Sequence, residues 1–416
     1  MGPLTRGLRA ARLRPGSLLG LLLATAIATS ACATNPRELP TLEQLDLAAQ
    51  ARSEQIAGQD ERLTARTLQR MRAKQAVATA EEPAVFDVLM LSGGGQYGAF
   101  GAGVLRGWGE LEADYHLRPN FDLVTGVSTG SLISPFVFNG TEDEIRRVER
   151  FYREVNEELA VLRGLLFFLP WRDSFFDVAG LQRTLRKEIK LAEVEALREG
   201  HAEGRSLLVA TTDLDLGAVH IWDLGYEMQQ CTDDQHAVDR LRRTLRASSS
   251  IPAVFPPVEI DGSLHVDGGV AEHLFLPTTL LESVGEELRE GEGLRVRIWV
   301  IVNGKVKAAR QPTEATWPSI ARRSYQVAMR FAVASELRHA ELFCRALDAA
   351  SPLQVEFRYI ALPEEFTVPQ LELKKNIFDS ELMGRLFDLG QELGRNPGAW
   401  STVAPLRAGR AGRAGR

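Results

Sequence analysis

The sequence predicts an α/β fold with a mostly parallel central sheet between helices, and three observations predict it. From residue 86 onward, short apolar runs of strand length alternate with longer amphipathic stretches. Two of those runs, starting at Phe86 and Phe121, end in glycine-rich turns and restart as helix-like segments. Strand–turn–helix units of this kind build parallel sheets, because a crossover helix carries the chain back to the same end of the sheet. Finally, 416 residues that are 44% hydrophobic and 25% charged suit one large domain with extensions. A net charge of −6 gives no sign of a nucleic-acid partner.

At the N-terminus Arg6, Arg9, Arg12 and Arg14 precede an apolar run from Leu18 to Ala28 and the small residues Thr29, Ser30 and Ala31. That order reads as a secretory signal peptide over residues 1–31, and the apolar run is too short to span a bilayer. Cys32 follows at the position where bacterial lipoprotein precursors carry the cysteine that becomes acylated, although Thr29 stands where they usually have leucine. The resemblance implies lipidation at Cys32 and a membrane anchor in the cell envelope, facing the periplasm; the alternative is cleavage after Ala31 or Ala33 and secretion. Residues 32–82 are helical but thinly apolar, and read as the lipidated N-terminus with a stalk or linker, or as a helix on the domain surface. Residues 83–395 hold the folded domain. The stretch 396–416 ends in RAGRAGRAGR and is expected to be a disordered basic tail.

Within the domain, helices are expected over Glu142–Leu159, Leu181–Ile189, Asp239–Ala247, Trp317–Leu347 and Ser380–Leu389. Strands are expected over Leu207–Thr212, Ala218–Trp222, Val296–Val302 and Gln354–Ile360, the first two joined by the turn Asp213–Gly217. The aromatic stretch Val161–Phe176 reads either as an acyl-chain groove or membrane-dipping element, or as core packing under a loop. Cys231 and Cys344 are read as buried thiols, their pairing left open.

Chemistry concentrates in three places. Gly93, Gly94 and Gly95 leave backbone N–H groups uncovered at the start of a helix, which suits an anion. With Gly98 they also spell the dinucleotide pattern G-x-G-x-x-G, but Asp114 is the only ribose-binding candidate and is poorly placed. The second strand runs into Gly126-Val127-Ser128-Thr129-Gly130, whose flanking glycines permit the sharp turn that presents a nucleophilic serine. Acyl transfer therefore accounts for both glycine motifs, the first holding an oxyanion. No histidine has a catalytic context. Asp267, which ends a short strand before Gly268 and Gly269, is the candidate base, while His265 and His273 are the histidines nearest to it.

Together these motifs resemble the patatin-like phospholipase family, from about Phe86 to Leu389. Gly93-Gly94-Gly95-Gln96-Tyr97-Gly98 is similar to its oxyanion loop, Gly126–Gly130 to its nucleophile elbow, and Asp267-Gly268-Gly269 to its Asp-Gly-Gly motif. The run from Ala247 through Ser250 and Pro252 to Pro257 is similar as well. The resemblance implies a three-layer patatin-like fold and a Ser128–Asp267 dyad that hydrolyses acyl esters of membrane phospholipid or another acyl lipid. It implies no metal, no cofactor and no histidine. The family usually has lysine or arginine where this chain has Tyr97, so a positive charge near the loop is missing while the backbone donors remain. The alternative is a catalytically weak or inactive envelope lipoprotein that binds lipid or a partner. Head group, chain length and protein partners are not legible.

Overall fold

The computed structural model describes residues 37–79, 82–111, 117–154, 160–162, 173–288, 294–367 and 378–404. The leader, Cys32, Asp114 and most of the aromatic stretch 161–176 lie outside the described residues.

Eight strands form the main sheet: β1 (Val85–Leu91), β2 (Leu123–Val127), β3 (Ser206–Asp213), β4 (Ala218–Asp223), β5 (Val258–Ile260), β6 (Ser263–Asp267), β7 (Arg295–Val302) and β8 (Gln354–Ala361). Their order is β8-β7-β1-β2-β3-β6-β5, with β4 also paired to β3. The five strands from β8 to β3 run parallel. β4, β5 and β6 are antiparallel additions at one edge.

The central strands read as near-continuous apolar runs because helices cover both faces. Leu89 and Leu91 of β1 face one apolar cluster, while Val88 and Met90 face the other. The first cluster is closed by α2 (Gly98–Trp108), α3 (Thr129–Asn139), α4 (Glu142–Arg153), α5 (Ala179–Glu188), α6 (Leu191–Ala202), α7 (Leu224–Gln230), α8 (Asp234–Ser248) and α11 (Ser380–Gly394). The second is closed by α1 (Leu42–Val77), α9 (Thr278–Glu287) and α10 (Trp317–Ala350). Helix, sheet and helix make three layers. One buried acid interrupts β1: Asp87 takes two hydrogen bonds from Arg297, at 2.7 and 2.8 Å, and one from the indole of Trp299 at 2.9 Å.

Helix α2, which leaves the glycine loop, is held by α11 at unusually close range. A Cβ at Gly103 would come within 2.1 Å of the Phe387 carbonyl, and one at Gly390 within 2.1 Å of the Phe100 carbonyl. The two backbones touch where only hydrogen fits.

One expectation about the extensions is decided and another needs correction. Of the two readings of α1, its second half takes the helix on the domain surface and not the free stalk, because Leu63, Leu68 and Met71 are buried against the sheet. Its cations reach buried acids: Arg66 pairs with Asp223 at 2.6 Å, and Arg70 and Lys74 both pair with Asp122, at 2.9 and 2.5 Å. Residues 396–404 are not a disordered tail either. Trp400 is buried against Trp108 and Trp299, and Ser401 exchanges backbone hydrogen bonds with Tyr359. An indole that finds two others offsets the entropy of ordering a short segment. Smaller corrections concern lengths: α4 stops at Arg153, and α8 starts five residues before Asp239. Among the described residues no helix is long and apolar enough to cross a membrane.

Candidate active site

Strand pairing brings the two candidate catalytic residues together. β2 lies along one edge of β3 with Val127 opposite Ala210, and β4 lies along the other edge. Beyond Ala210 the edge left by β2 is taken by β6, which arrives from the opposite direction and pairs Asp267 with Thr211. Two strands thus share one lane and end head to head, one in Ser128 and the other in Asp267.

Ser128 is buried and turns at φ 54°, ψ −123°, a backbone region that side chains other than glycine rarely occupy. Gly126 and Gly130 make that turn possible by close approach: a Cβ on Gly130 would meet the Leu91 carbonyl at 2.3 Å. The Ser128 hydroxyl donates to Asp267 Oδ2 at 2.6 Å. Asp267 Oδ1 accepts the Gly269 N–H at 2.8 Å. Gly268 packs against the Ala210 carbonyl, where a Cβ would come within 2.5 Å. Burial pushes the Asp267 carboxyl up to about 7, against the hydrogen bonds from Ser128 and Gly269, which lower it.

The run Ala247–Pro257, which as bare sequence suggests only an extended loop, contributes a clamp. Ser248 Oγ accepts the Ser128 N–H at 3.0 Å, and Ser249 Oγ donates to the Ser128 carbonyl at 3.2 Å. The Ser250 carbonyl accepts the Asp267 N–H at 2.9 Å. Consecutive serines before the Asp267 strand therefore fix both ends of the pair. Their signal in the sequence was the serine triplet itself, and for Ser248 and Ser249 the partner, Ser128, lies over a hundred residues away.

The glycine loop differs from expectation at its first residue. The Gly93 N–H donates to the His273 carbonyl at 3.0 Å, so this glycine fixes the loop and has no N–H left for an oxyanion. Among the described residues the N–H groups of Gly94 and Gly95 have no acceptor, and Gly95 has φ 56°. Gly93 itself lies against the serine, with a Cβ there falling 3.3 Å from Ser128 Cβ.

Neither nearby histidine bonds to the pair. His265 turns to Thr211, with Nδ1 3.0 Å from its hydroxyl, and packs edge-on to His220. The His273 ring fills space beside Gly269 and Gly93, and burial lowers it to about 4, which keeps it neutral. Away from the serine, ligand atoms of Asp213, His220 and His265 lie within 4.8 Å of one another, a spacing that would let them hold a metal ion after closing in. A cation does lie beside Tyr97, contributed by another part of the chain. Arg330 of α10 lies over the Tyr97 ring, Cζ 5.6 Å from its centroid, and donates to the Lys305 carbonyl at 3.1 Å. Among the described residues no carboxylate lies within ion-pair distance of it. Cys231 and Cys344 are both free thiols, Cys344 buried as expected but Cys231 only partly so.

Residues 89–280 match the family model described as patatin-like phospholipase. No curated protein matches the chain in sequence. Among solved structures it is similar to VipD from Legionella pneumophila, with 12% identity, 75% of this chain and 69% of that one covered, and a TM-score of 0.30. It is also similar to human GIVD cytosolic phospholipase A2 in complex with a methyl gamma-linolenyl fluorophosphonate inhibitor and terbium chloride, with 12% identity, coverage of 81% and 62%, and a TM-score of 0.31. The chain thus spans less than two thirds of that human protein. The family match takes in the glycine loop, the Ser128 elbow and Asp267, so all three motifs lie within the stretch that is similar to patatin-like phospholipase.

Proposed function

We propose that this protein is a serine hydrolase of lipid acyl esters, of phospholipase A type, working through a Ser128–Asp267 dyad. Ser128 Oγ attacks the ester carbonyl while its proton moves to Asp267 Oδ2. The oxyanion that forms is held by the N–H groups of Gly94 and Gly95 and by the N-terminal end of the helical segment they open. Collapse of the intermediate breaks the ester bond, and the leaving alcohol takes the proton back from Asp267. Water then gives a proton to Asp267 and attacks the acyl-serine, which releases the fatty acid and restores Ser128.

The observation that carries this reading is the 2.6 Å hydrogen bond between a strained, buried serine and a buried carboxylate of raised proton affinity. A carboxylate of ordinary pKa is a weak base for a serine, and burial is what brings Asp267 into the useful range. The test is labelling by a fluorophosphonate probe, with release of fatty acid from a mixed membrane extract followed by lipid profiling. Labelling lost in Ser128→Ala supports the assignment; an unlabelled wild type, or one labelled elsewhere, overturns it.

We further propose that the leader is removed on export and that Cys32 carries the lipid that anchors the enzyme in a bacterial envelope membrane. The order of basic, apolar and small residues before that cysteine supports it. Loss of fatty-acid labelling and of membrane association in Cys32→Ser is the expected outcome. A wild type already free of the membrane would favour plain secretion.

A further inference from the structure

The two halves of α10 have opposite character. Its second half is core: Val333, Leu337, Ala340 and Cys344 are buried. Its first half is uncovered, with Trp317 82% exposed and Ile320, Tyr325 and Phe331 about half exposed. Ile320, Val327, Ala328 and Phe331 fall at helical spacing on one face and line a shallow apolar groove of about 470 Å³. Large apolar side chains grouped in this way are not a random feature of a soluble surface.

Charge adds a second and independent observation. Between Gly304 and Ser335 the chain carries six basic residues (Lys305, Lys307, Arg310, Arg322, Arg323 and Arg330) against one acid, Glu314. That is a local excess of five positive charges on a chain whose net charge is −6. Glu364 is one nearby acid, and its carboxylate accepts the Lys307 backbone N–H at 3.2 Å. An exposed aromatic and aliphatic face bordered by arginine and lysine is the pattern of an interfacial helix, whose apolar side chains enter the acyl boundary while its cations meet anionic head groups.

Position gives the third. Arg330 lies over Tyr97 of the glycine loop. Burial pushes the Tyr325 phenol up to about 12, and the Asp267 carboxylate adds to the shift. Val270, half exposed, follows the Asp267-Gly268-Gly269 turn directly. The uncovered face thus borders the site where the ester would react.

We infer that the first half of α10, with the basic segment before it, docks the enzyme on an anionic lipid surface and presents membrane lipid to Ser128. This deepens the lipid-hydrolase reading and rests on it for the purpose of docking, but binding is measured without turnover. The chain from Ala33 onward, which contains every described element, is prepared with Ser128→Ala and floated with vesicles of phosphatidylglycerol and phosphatidylcholine or of phosphatidylcholine alone. It is expected to float with the anionic vesicles, weakly with neutral ones, and less as salt rises. Each basic residue neutralised is expected to lower partitioning about fivefold, so Lys307→Gln/Arg310→Gln loses more than tenfold. Trp317→Ser/Ile320→Ser loses a comparable factor, and Trp317 emission shifts to the blue on binding in the parent.

With Ser128 restored, both variants are expected to keep hydrolysis of a soluble short-chain ester while losing hydrolysis of vesicle lipid. Failure of all ester hydrolysis would sink the enzyme reading and leave the flotation result standing. The docking proposal is overturned if the parent does not float, or if both variants float as the parent does. It is also overturned if the parent instead forms a dimer that Trp317→Ser/Ile320→Ser abolishes, which would assign the face to a second copy.

Discussion

Asp267 is bonded on both oxygens, Oδ2 by the Ser128 hydroxyl and Oδ1 by the Gly269 N–H. This fixes the outcome of the near-isosteric change Asp267→Asn. The amide oxygen must stay on the Gly269 side to accept its N–H, so the NH₂ group faces Ser128, where it donates and cannot accept a proton. Turnover of a chromogenic fatty-acyl ester is expected to fall by at least about a hundredfold, with the far-ultraviolet circular dichroism of the wild type. Activity within tenfold of wild type would remove Asp267 from the mechanism.

The raised Asp267 carboxyl ties activity to stability with opposite signs. As a base it must be ionised, so hydrolysis is expected to rise with pH through about 7. For stability, the folded chain holds a proton between about pH 4 and pH 7 that the unfolded chain has lost, so stability falls as pH rises through that window. Asp267→Asn removes the burial of charge, which at most is worth on the order of 4 kcal/mol for a shift of this size. The variant is expected to melt higher than wild type at pH 8 and no higher below pH 4. Glu336, also pushed up to about 7, is present in both proteins and drops out of the comparison. A lower melting temperature for the variant at pH 8 would contradict the raised carboxyl.

What the sequence made legible was local. The elbow around Ser128 and the turn after Asp267 depend on glycines a few residues away, so their presence and order can be read directly. The lane along β3 that makes Ser128 and Asp267 meet depends on register between residues 139 apart, and no window of sequence carries that. The same holds for Lys74 and Arg70 reaching Asp122, and for Trp400 closing on Trp108. Each looked like a polar helix face or a tail because its partner lies far away in the chain. Gly93 failed as an oxyanion donor for a related reason: its N–H is taken by a carbonyl from residue 273.

A histidine base remains the alternative chemistry, and the structure sharpens its test. His265 is engaged with Thr211 and the His220 and Trp222 rings, so its replacement disturbs packing away from the serine. His273, beside Gly93 and Gly269, is the more informative position. His273→Gln is expected to hydrolyse ester within about tenfold of wild type, since loss of a true base removes a hundredfold or more. His265→Ala should mainly lower the melting temperature. A loss in cooperatively folded His273→Gln equal to that of Asp267→Asn would move the base to the histidine.

Tyr97 stands where a cation would be expected beside the glycine loop, and on the sequence alone Tyr97→Arg should preserve or raise activity by supplying it. Arg330 changes that expectation. Its guanidinium already lies over the Tyr97 ring and has no carboxylate within ion-pair distance among the described residues. A second guanidinium at residue 97 would replace a favourable cation–π contact, worth about 0.5–2 kcal/mol, with repulsion between partly buried like charges. Tyr97→Arg is therefore expected to lower the melting temperature and to leave kcat/KM unchanged or reduced. Arg330→Gln alone should also destabilise, by losing the ring contact and the bond to the Lys305 carbonyl. The combination Tyr97→Arg/Arg330→Gln restores a single cation to the same space, so its melting temperature should lie above that of Tyr97→Arg. The double-mutant cycle then gives a coupling energy whose sign decides the matter. If Tyr97→Arg is as stable as wild type and the two changes simply add, Arg330 does not occupy the place of the missing charge.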